Sequence, residues 1–297
     1  MVVPCVFVRN AFFKGHGLGN DYIVVDPEEL DFKLTPARIR ALCDRHLGVG
    51  GDGLLALAPS AKAHFGLRIF NPDGGEAEKS GNGLRIFGRY LHATRRSRRR
   101  RLSVETKGGV VWLSLAVDER GDVDHVTVEM GRASFRPEDL PCTLEVDELV
   151  DQQLRAGSVT LRFTGVSIGN PHCVVFRGAD RPFTERDLLR LGPVLETHTI
   201  FPGFTNVQLA SVTGRRELSL LIWERGAGAT QASGSSACAA ACAAVRAGLV
   251  KSPVTAKMPG GTLEIEVSDD YDVTLAGPVE EVARGQLAGS FVRKLQR

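Results

Sequence analysis

The sequence has few aromatic residues, 6% Phe, Trp and Tyr, and almost no charge imbalance, with 37 Lys and Arg against 35 Asp and Glu. A formal net charge of +2 supplies no global field to draw the chain to nucleic acid. Six Cys spread over 297 residues, with no CxxC pair, exclude a disulfide scaffold and the common zinc modules. No apolar run reaches the about 20 residues of a membrane span, and the longest, Ala237 to Val250, is interrupted by Arg246. The N-terminus lacks a basic segment ahead of a long apolar core, so no secretory signal is expected. Walker A, GxSxG and HExxH patterns are absent. Gly48-Val49-Gly50-Gly51-Asp52-Gly53 spells GxGxxG, but a helical pattern precedes it and a strand pattern follows, the reverse of a dinucleotide fingerprint. These absences leave a soluble cytoplasmic protein with buried, reduced thiols, no metal and no membrane partner as the expectation.

With 43% apolar and 24% charged residues, the chain can bury a sizeable core, and its length favours two domains. Strand patterns dominate: Ile23 to Val25, Leu54 to Leu57, Gly66 to Phe70, Val110 to Val117 and Val123 to Met130, then Ser158 to Phe163, Cys173 to Phe176, Asn206 to Leu209, Leu218 to Trp223, Thr262 to Val267 and Val273 to Leu275. Helices are expected from Pro36, capped by Thr35, to about His46, over Gly83 to His92, from Phe183 to about Leu191, and over the Ala-rich Ser235 to Ala247. Six arginines between Arg95 and Arg101 read as a solvated loop after the second helix, with no interleaved aromatic to suggest a nucleic-acid partner.

Two short turns organise the chain. Lys79-Ser80-Gly81-Asn82-Gly83 and Ala232-Ser233-Gly234-Ser235-Ser236 each lead into an apolar helix, about half the chain apart. A helix start leaves backbone N–H groups free and carries positive partial charge, and glycine lets a ligand approach that backbone closely. Two such starts suit a carboxylate, although each alone is explained by ordinary capping. Polar residues also gather in loops, at His16-Gly17-Leu18-Gly19-Asn20-Asp21, Asn71-Pro72-Asp73, Gly169-Asn170-Pro171-His172, Thr205-Asn206 and Glu224-Arg225-Gly226-Ala227-Gly228. Together they offer clamps for a zwitterion.

Taken in chain order and across nearly the whole chain, the segments Phe13 to Tyr22, Leu67 to Gly74, Ser80 to Gly83, Gly169 to Cys173, Thr205-Asn206 and Glu224 to Gly228 resemble the diaminopimelate epimerase family of cofactor-independent amino-acid epimerases. The resemblance implies an α+β fold of two pseudo-symmetric domains, each a curled, mostly antiparallel sheet around a central helix, with the active site in a cleft between them. The domains are expected at 1–130 plus 282–297 and at 131–281. It implies that the backbones of Gly81-Asn82 and Gly234-Ser235 hold the α-carboxylate of the substrate. Asn20, Asn71, Asn170, Asn206, Glu224 and Arg225 would bind the rest, with no cofactor, in a homodimer. The expected reaction converts LL- to meso-diaminopimelate, a step of lysine and cell-wall biosynthesis.

One departure is chemical. The family's two proton-transferring cysteines correspond here to Ser80 and Ser233, and a serine hydroxyl is a far weaker acid than a thiol. His172 is the expected helper for Ser80 and Glu224 for Ser233. Ala229 also stands where the family usually carries Glu. Three readings of the serines stay open: epimerase-type chemistry by activated hydroxyls, on diaminopimelate or as a related isomerase on another substrate; an amino-acid-binding relative with little or no turnover; or serines put in place of two thiols.

Overall fold

Residues 8–297 are described in the computed structural model; Cys5 and the start of the N-terminal apolar stretch lie outside the described residues. The chain folds as two compact units, one holding the described residues up to Val126 together with Pro278–Arg297, the other Thr127–Gly277.

The first unit begins with β1 (Ala11–Gly17), β2 (Asn20–Val25), α1 (Pro36–Cys43), β3 (Gly53–Ala58), β4 (Phe65–Phe70), the short β5 (Glu76–Ala77), α2 (Gly81–Ala93), β6 (Arg101–Thr106) and β7 (Gly109–Val117). β8 (Val123–Arg132) carries the chain onward. The second unit adds β9 (Gln152–Ala156), β10 (Val159–Ser167), β11 (Pro171–Gly178), α3 (Glu185–Glu196), β12 (Asn206–Gly214), β13 (Glu217–Glu224), β14 (Gly228–Thr230), α4 (Gly234–Arg246), β15 (Val254–Met258), β16 (Gly261–Val267) and β17 (Asp272–Pro278). The chain then returns to the first unit as β18 (Glu280–Gln286) and α5 (Gly289–Gln296).

The strands of the two units repeat one pairing scheme. β1 pairs β2 antiparallel, β2 pairs β3 parallel, β3 pairs β4 antiparallel, and β4 then takes β5 antiparallel and β6 parallel. β10 to β15 follow the same scheme: β10–β11 antiparallel, β11–β12 parallel, β12–β13 antiparallel, then β14 antiparallel and β15 parallel on β13. The parallel pairs need crossovers, and helices supply them at the same places, α1 and α2 in one unit, α3 and α4 in the other. A repeat that the sequence shows only at its two Gly/Ser turns is thus plain in topology.

Strand alternation sorts each sheet into two faces. In β2 and β3, Ile23, Val25, Leu54 and Ala56 join a core with Ile39, Leu42 and Cys43 of α1 and with Val292 and Leu295 of α5. The opposite face receives α2, which packs against β1, β2, β7 and β18. In β11 and β12, Cys173, Val175, Val207 and Leu209 share a core with Leu188, Leu191 and Leu195 of α3. The other face receives α4, in contact with β10 to β13, β15 and β16. α2 and α4 are therefore the central helices, buried along most of their length.

The helices differ from expectation mainly at their ends. α1 stops at Cys43 because the chain turns there: Val49 and Gly50 N–H groups both bond the Leu42 carbonyl. α3 runs to Glu196, past the internal Pro193, and opens with a capping box between Thr184 and Asp187. The Gly48–Gly53 glycines link a helix to a strand. In the arginine run, Arg96 pairs with Asp26 and Glu29, Arg101 lies over the Trp112 ring, and Arg98, Arg99 and Arg100 are exposed. Among the described residues, no helix is long and apolar enough to cross a membrane.

Candidate active site

Ser80 precedes α2 with extended backbone, φ −144° and ψ 116°, and its Oγ accepts a hydrogen bond from Gly83 N–H at 3.0 Å. Gly83 permits this closure, since a Cβ there would lie 3.3 Å from Ser80 Oγ and 3.1 Å from Leu55. Gly81 and Asn82 form the first turn and are buried. Asn82 Nδ2 donates to Asn20 Oδ1 at 2.9 Å, and Asn20 Nδ2 donates to Asp52 at 3.0 Å. Behind them, the fully buried Arg85 donates to Asn82 Oδ1 at 2.8 Å. Arg45 closes the other end, donating to Asp52 at 2.6 Å and Asp21 at 2.7 Å. Burial alone would raise the Asp21 carboxyl, but bonds from Arg45 and Lys14 hold it below its ordinary value.

Asn20 and Asn82 are thus oriented by a chain that runs from guanidinium to carboxylate, and each amide keeps a further hydrogen-bonding valence. Asn71 stands apart from this chain. It is exposed at the β4–β5 turn, where its N–H and C=O bond Gly75 and Gly74.

The start of α4 has nearly the same backbone and different partners. Ser233 has φ −143° and ψ 124°, is buried, and makes no side-chain cap bond. Gly234 and Ser235 follow in the first turn. One residue further, Ser236 Oγ accepts from Gln208 Nε2 at 3.0 Å, and the same amide nitrogen lies 3.0 Å from His172 Nδ1. His172 Nε2 is 3.0 Å from Asn170 Oδ1. The imidazole is completely buried; burial, aided by the Arg225 charge and opposed by the Gln208 bond, pushes its pKa down to about 3. A neutral ring accepting at Nδ1 carries its proton on Nε2 and donates it to Asn170. The lone pair is therefore engaged by Gln208.

Asn206 joins the loop after β13 to the start of β11. Its Nδ2 donates to the Pro171 carbonyl at 2.9 Å and its Oδ1 accepts from Arg225 N–H at 3.0 Å. Glu196, the last residue of α3, fixes that loop by accepting from Gly226 N–H and Trp223 Nε1, each at 2.7 Å. Glu224 ends β13, half-buried, and Arg225 is exposed, with one guanidinium nitrogen on the Gly203 carbonyl at 3.1 Å.

The first unit therefore brings Asn20, Ser80, Gly81 and Asn82 together, and the second links Asn170 with His172 and Asn206 with Arg225. Gln208, Ser236 and Arg85 belong to these networks; Gln208 and Arg85 were not singled out in the sequence, and Ser236 was named only as part of its turn. Periodicity could have found them. Gln208 is two along β12 from Asn206, on the same face, and Arg85 and Ser236 lie one helical turn from Asn82 and Ser233. Among the described residues no cysteine is in a disulfide and four of the five are buried; burial pushes Cys43 up to about 11 and raises Cys142, Cys173 and Cys242 as well, the reverse of what a reactive thiolate needs.

Both helix starts present free backbone N–H groups and the positive end of a central helix, which suits a carboxylate. Residues 12–136 and 164–282 match the family described as diaminopimelate epimerase. Similar relatives include diaminopimelate epimerase 2 of Nostoc sp., 44% identical over 279 residues, 93% of this chain and 95% of that one. The diaminopimelate epimerase of Desulfitobacterium hafniense is 42% identical over 281 residues, 92% of this chain and 96% of that one. Among solved structures, a hydroxyproline epimerase from Agrobacterium vitis, with trans-4-hydroxy-L-proline bound, has the same fold at 14% identity. Its TM-score is 0.69, over 94% of this chain and 92% of that one.

Proposed function

The chain belongs to the diaminopimelate epimerase family, and from that premise we propose that it inverts the α-carbon of diaminopimelate, LL to meso, without a cofactor. The observation that carries the site assignment is the matched pair of helix starts, each headed by a serine in the same extended conformation. The α-carboxylate takes the N–H groups of Gly81-Asn82 and Gly234-Ser235. As the α-proton leaves, charge spreads onto that carboxylate, where fixed helix ends stabilise it without reorganising. One serine, as its alkoxide, takes the proton from one face and becomes a hydroxyl, while the hydroxyl of the other gives its proton to the opposite face and is left as the alkoxide.

Asn20, Asn71, Asn170, Asn206 and Glu224 hold the rest of the substrate, and the Arg225 fork pairs with the distal carboxylate. His172 and Glu224 assist the two serines. His172 acts as a neutral, oriented group, since its basic nitrogen is engaged and its pKa is far below 7. The enzyme works in the cytoplasm as a homodimer, a state that light scattering would check.

Chiral chromatography of LL-diaminopimelate incubated with the protein tests the reading. Appearance of the meso isomer, lost in both Ser80→Ala and Ser233→Ala, supports it. A second reading, an amino-acid-binding relative without turnover, draws on the two absent thiols. Calorimetric binding without conversion would favour it, and neither binding nor conversion would remove both.

A further inference from the structure

Tyr22 occupies a slot built by glycines. On β2 it pairs with Gly15 of β1 on one side and Gly53 of β3 on the other. A Cβ at Gly53 would stand 2.5 Å from the Tyr22 ring, so the ring fills the space that the glycine leaves. The side chain is buried on the face that receives α2, and its Oη lies 3.3 Å from Ser80 Oγ. Ser80 Oγ meanwhile accepts from Gly83 N–H at the start of α2.

This contact addresses the chemical weakness of residue 80. A serine hydroxyl ionises too rarely at ordinary pH to serve as a base alone, whereas a phenol titrates near ~10. A serine alkoxide placed beside a phenol would take the phenol's proton, so the pair ionises as tyrosinate. The counterpart position in the second unit is His172. It also pairs with the first residue of the following parallel strand and also faces the central helix. Each unit thus sets a titratable side chain at that point, and in the first it touches the serine.

We propose that Tyr22 is a positioning residue acting through Ser80, the phenol supplying the ionisable group and the serine hydroxyl carrying the proton to and from the substrate. The proposal rests on the epimerase reading above. In the abstraction step the Cα–H bond breaks and a new Oγ–H bond forms, while the original Oγ–H proton passes to the Tyr22 phenolate. The negative charge leaves the phenolate and appears on the α-carbon and its carboxylate. The reverse step returns the proton by the same route.

The charged groups on the elements packed against Tyr22 are committed elsewhere. Lys14 of β1 pairs with Asp21 of β2, and Arg45 bridges Asp21 and Asp52. His16 lies toward Glu280 of β18, and Arg85 of α2 bonds Asn82 and the Pro278 carbonyl.

The test combines turnover with a titration. Tyr22→Phe should lower kcat on the order of 100-fold with KM little changed, and should remove the alkaline rise of the rate. In a Ser80→Cys background, where the thiol ionises itself, the same change should cost less than about 3-fold. Equal losses in the two backgrounds would overturn the relay. Phenolate absorbance gives a readout independent of turnover, because the chain has only three tyrosines and burial pushes Tyr90 up to about 12. Subtracting the Tyr22→Phe titration isolates Tyr22. Its midpoint should shift by at least about half a pH unit on Ser80→Ala. That shift in a protein that shows no epimerisation would keep the relay and sink the epimerase reading; no shift would sink the relay even in an active enzyme.

Discussion

The two helix starts have backbones that agree within about 10° in φ and ψ, yet they treat their leading serines differently. Ser80 receives a cap bond and a tyrosine hydroxyl. Ser233 makes no cap bond, and the polar network of its unit, His172 to Gln208 to Ser236, enters α4 three residues later. The helices behind them contrast as well. α2 fills its sheet with Leu84, Ile86, Phe87 and Leu91 and places Arg85 in the interior. The buried residues of α4 after Gly234 are all Ala, Cys and Ser. The scaffold is duplicated and the chemistry at its two ends is not, which points to unequal roles for the two hydroxyls.

The sharpest way to break this comparison is to restore acidity at both positions. The double variant Ser80→Cys, Ser233→Cys should raise epimerisation on the order of 10³-fold, since a thiol ionises near ~8.5. Of the single variants, Ser233→Cys should give the larger gain, because Ser80 has the Tyr22 phenol beside it in addition to its helper. Equal gains, measured by chiral chromatography, would erase the difference between the two ends.

A smaller effect separates the helices. Ala240 is fully buried in α4, so Ala240→Leu should cost about 3 kcal/mol by overpacking, whereas Ile86→Leu in α2 should cost under about 1.5 kcal/mol. Urea midpoints decide this, and similar costs would mean that α4 has room to spare.

Acid titration separates the polar networks. The folded imidazole of His172 binds its proton only near 3, while in the unfolded chain it binds near 6.5. Between those values the unfolded state holds the extra proton, so stability falls as pH drops, by about 1.4 kcal/mol per pH unit. Asp21 in the first unit is held below 3.8 and so costs stability only at pH below that value. Urea midpoints from pH 7 to pH 4 should therefore fall in the parent and flatten in His172→Gln. Parallel curves would contradict a buried, neutral His172.

The smallest expected difference lies in the caps. Ser80→Ala should cost about 1 kcal/mol for the lost bond to Gly83, and Ser233→Ala close to nothing. Thermal melts that rank them the other way would overturn the contrast in capping.

Much of this was legible in the sequence because its signals are local. Alternating apolar residues marked the strands, Thr35-Pro36 marked the start of α1, and the Gly/Ser turns marked the starts of α2 and α4. The pairing repeat was not legible, since register between strands depends on partners tens of residues away. α5 went unnoticed because its Phe291, Val292 and Leu295 stripe is short and ends with the chain. The Asn, Gly and Ser positions of the site stood out as turn chemistry. Tyr22, Gln208 and Arg85 did not, because each looks like an ordinary strand or helix residue until the fold aims it at a neighbour.

The account's central claim is that two serine hydroxyls exchange the α-proton on opposite faces. The most direct measurement is deuterium at Cα when LL-diaminopimelate is incubated with the parent protein in D₂O. We expect newly formed meso product to carry one solvent deuterium at the inverted carbon while the remaining LL substrate gains little early in the reaction. Meso product that keeps its original hydrogen, or the absence of deuterium from both pools after long incubation, would contradict the claim.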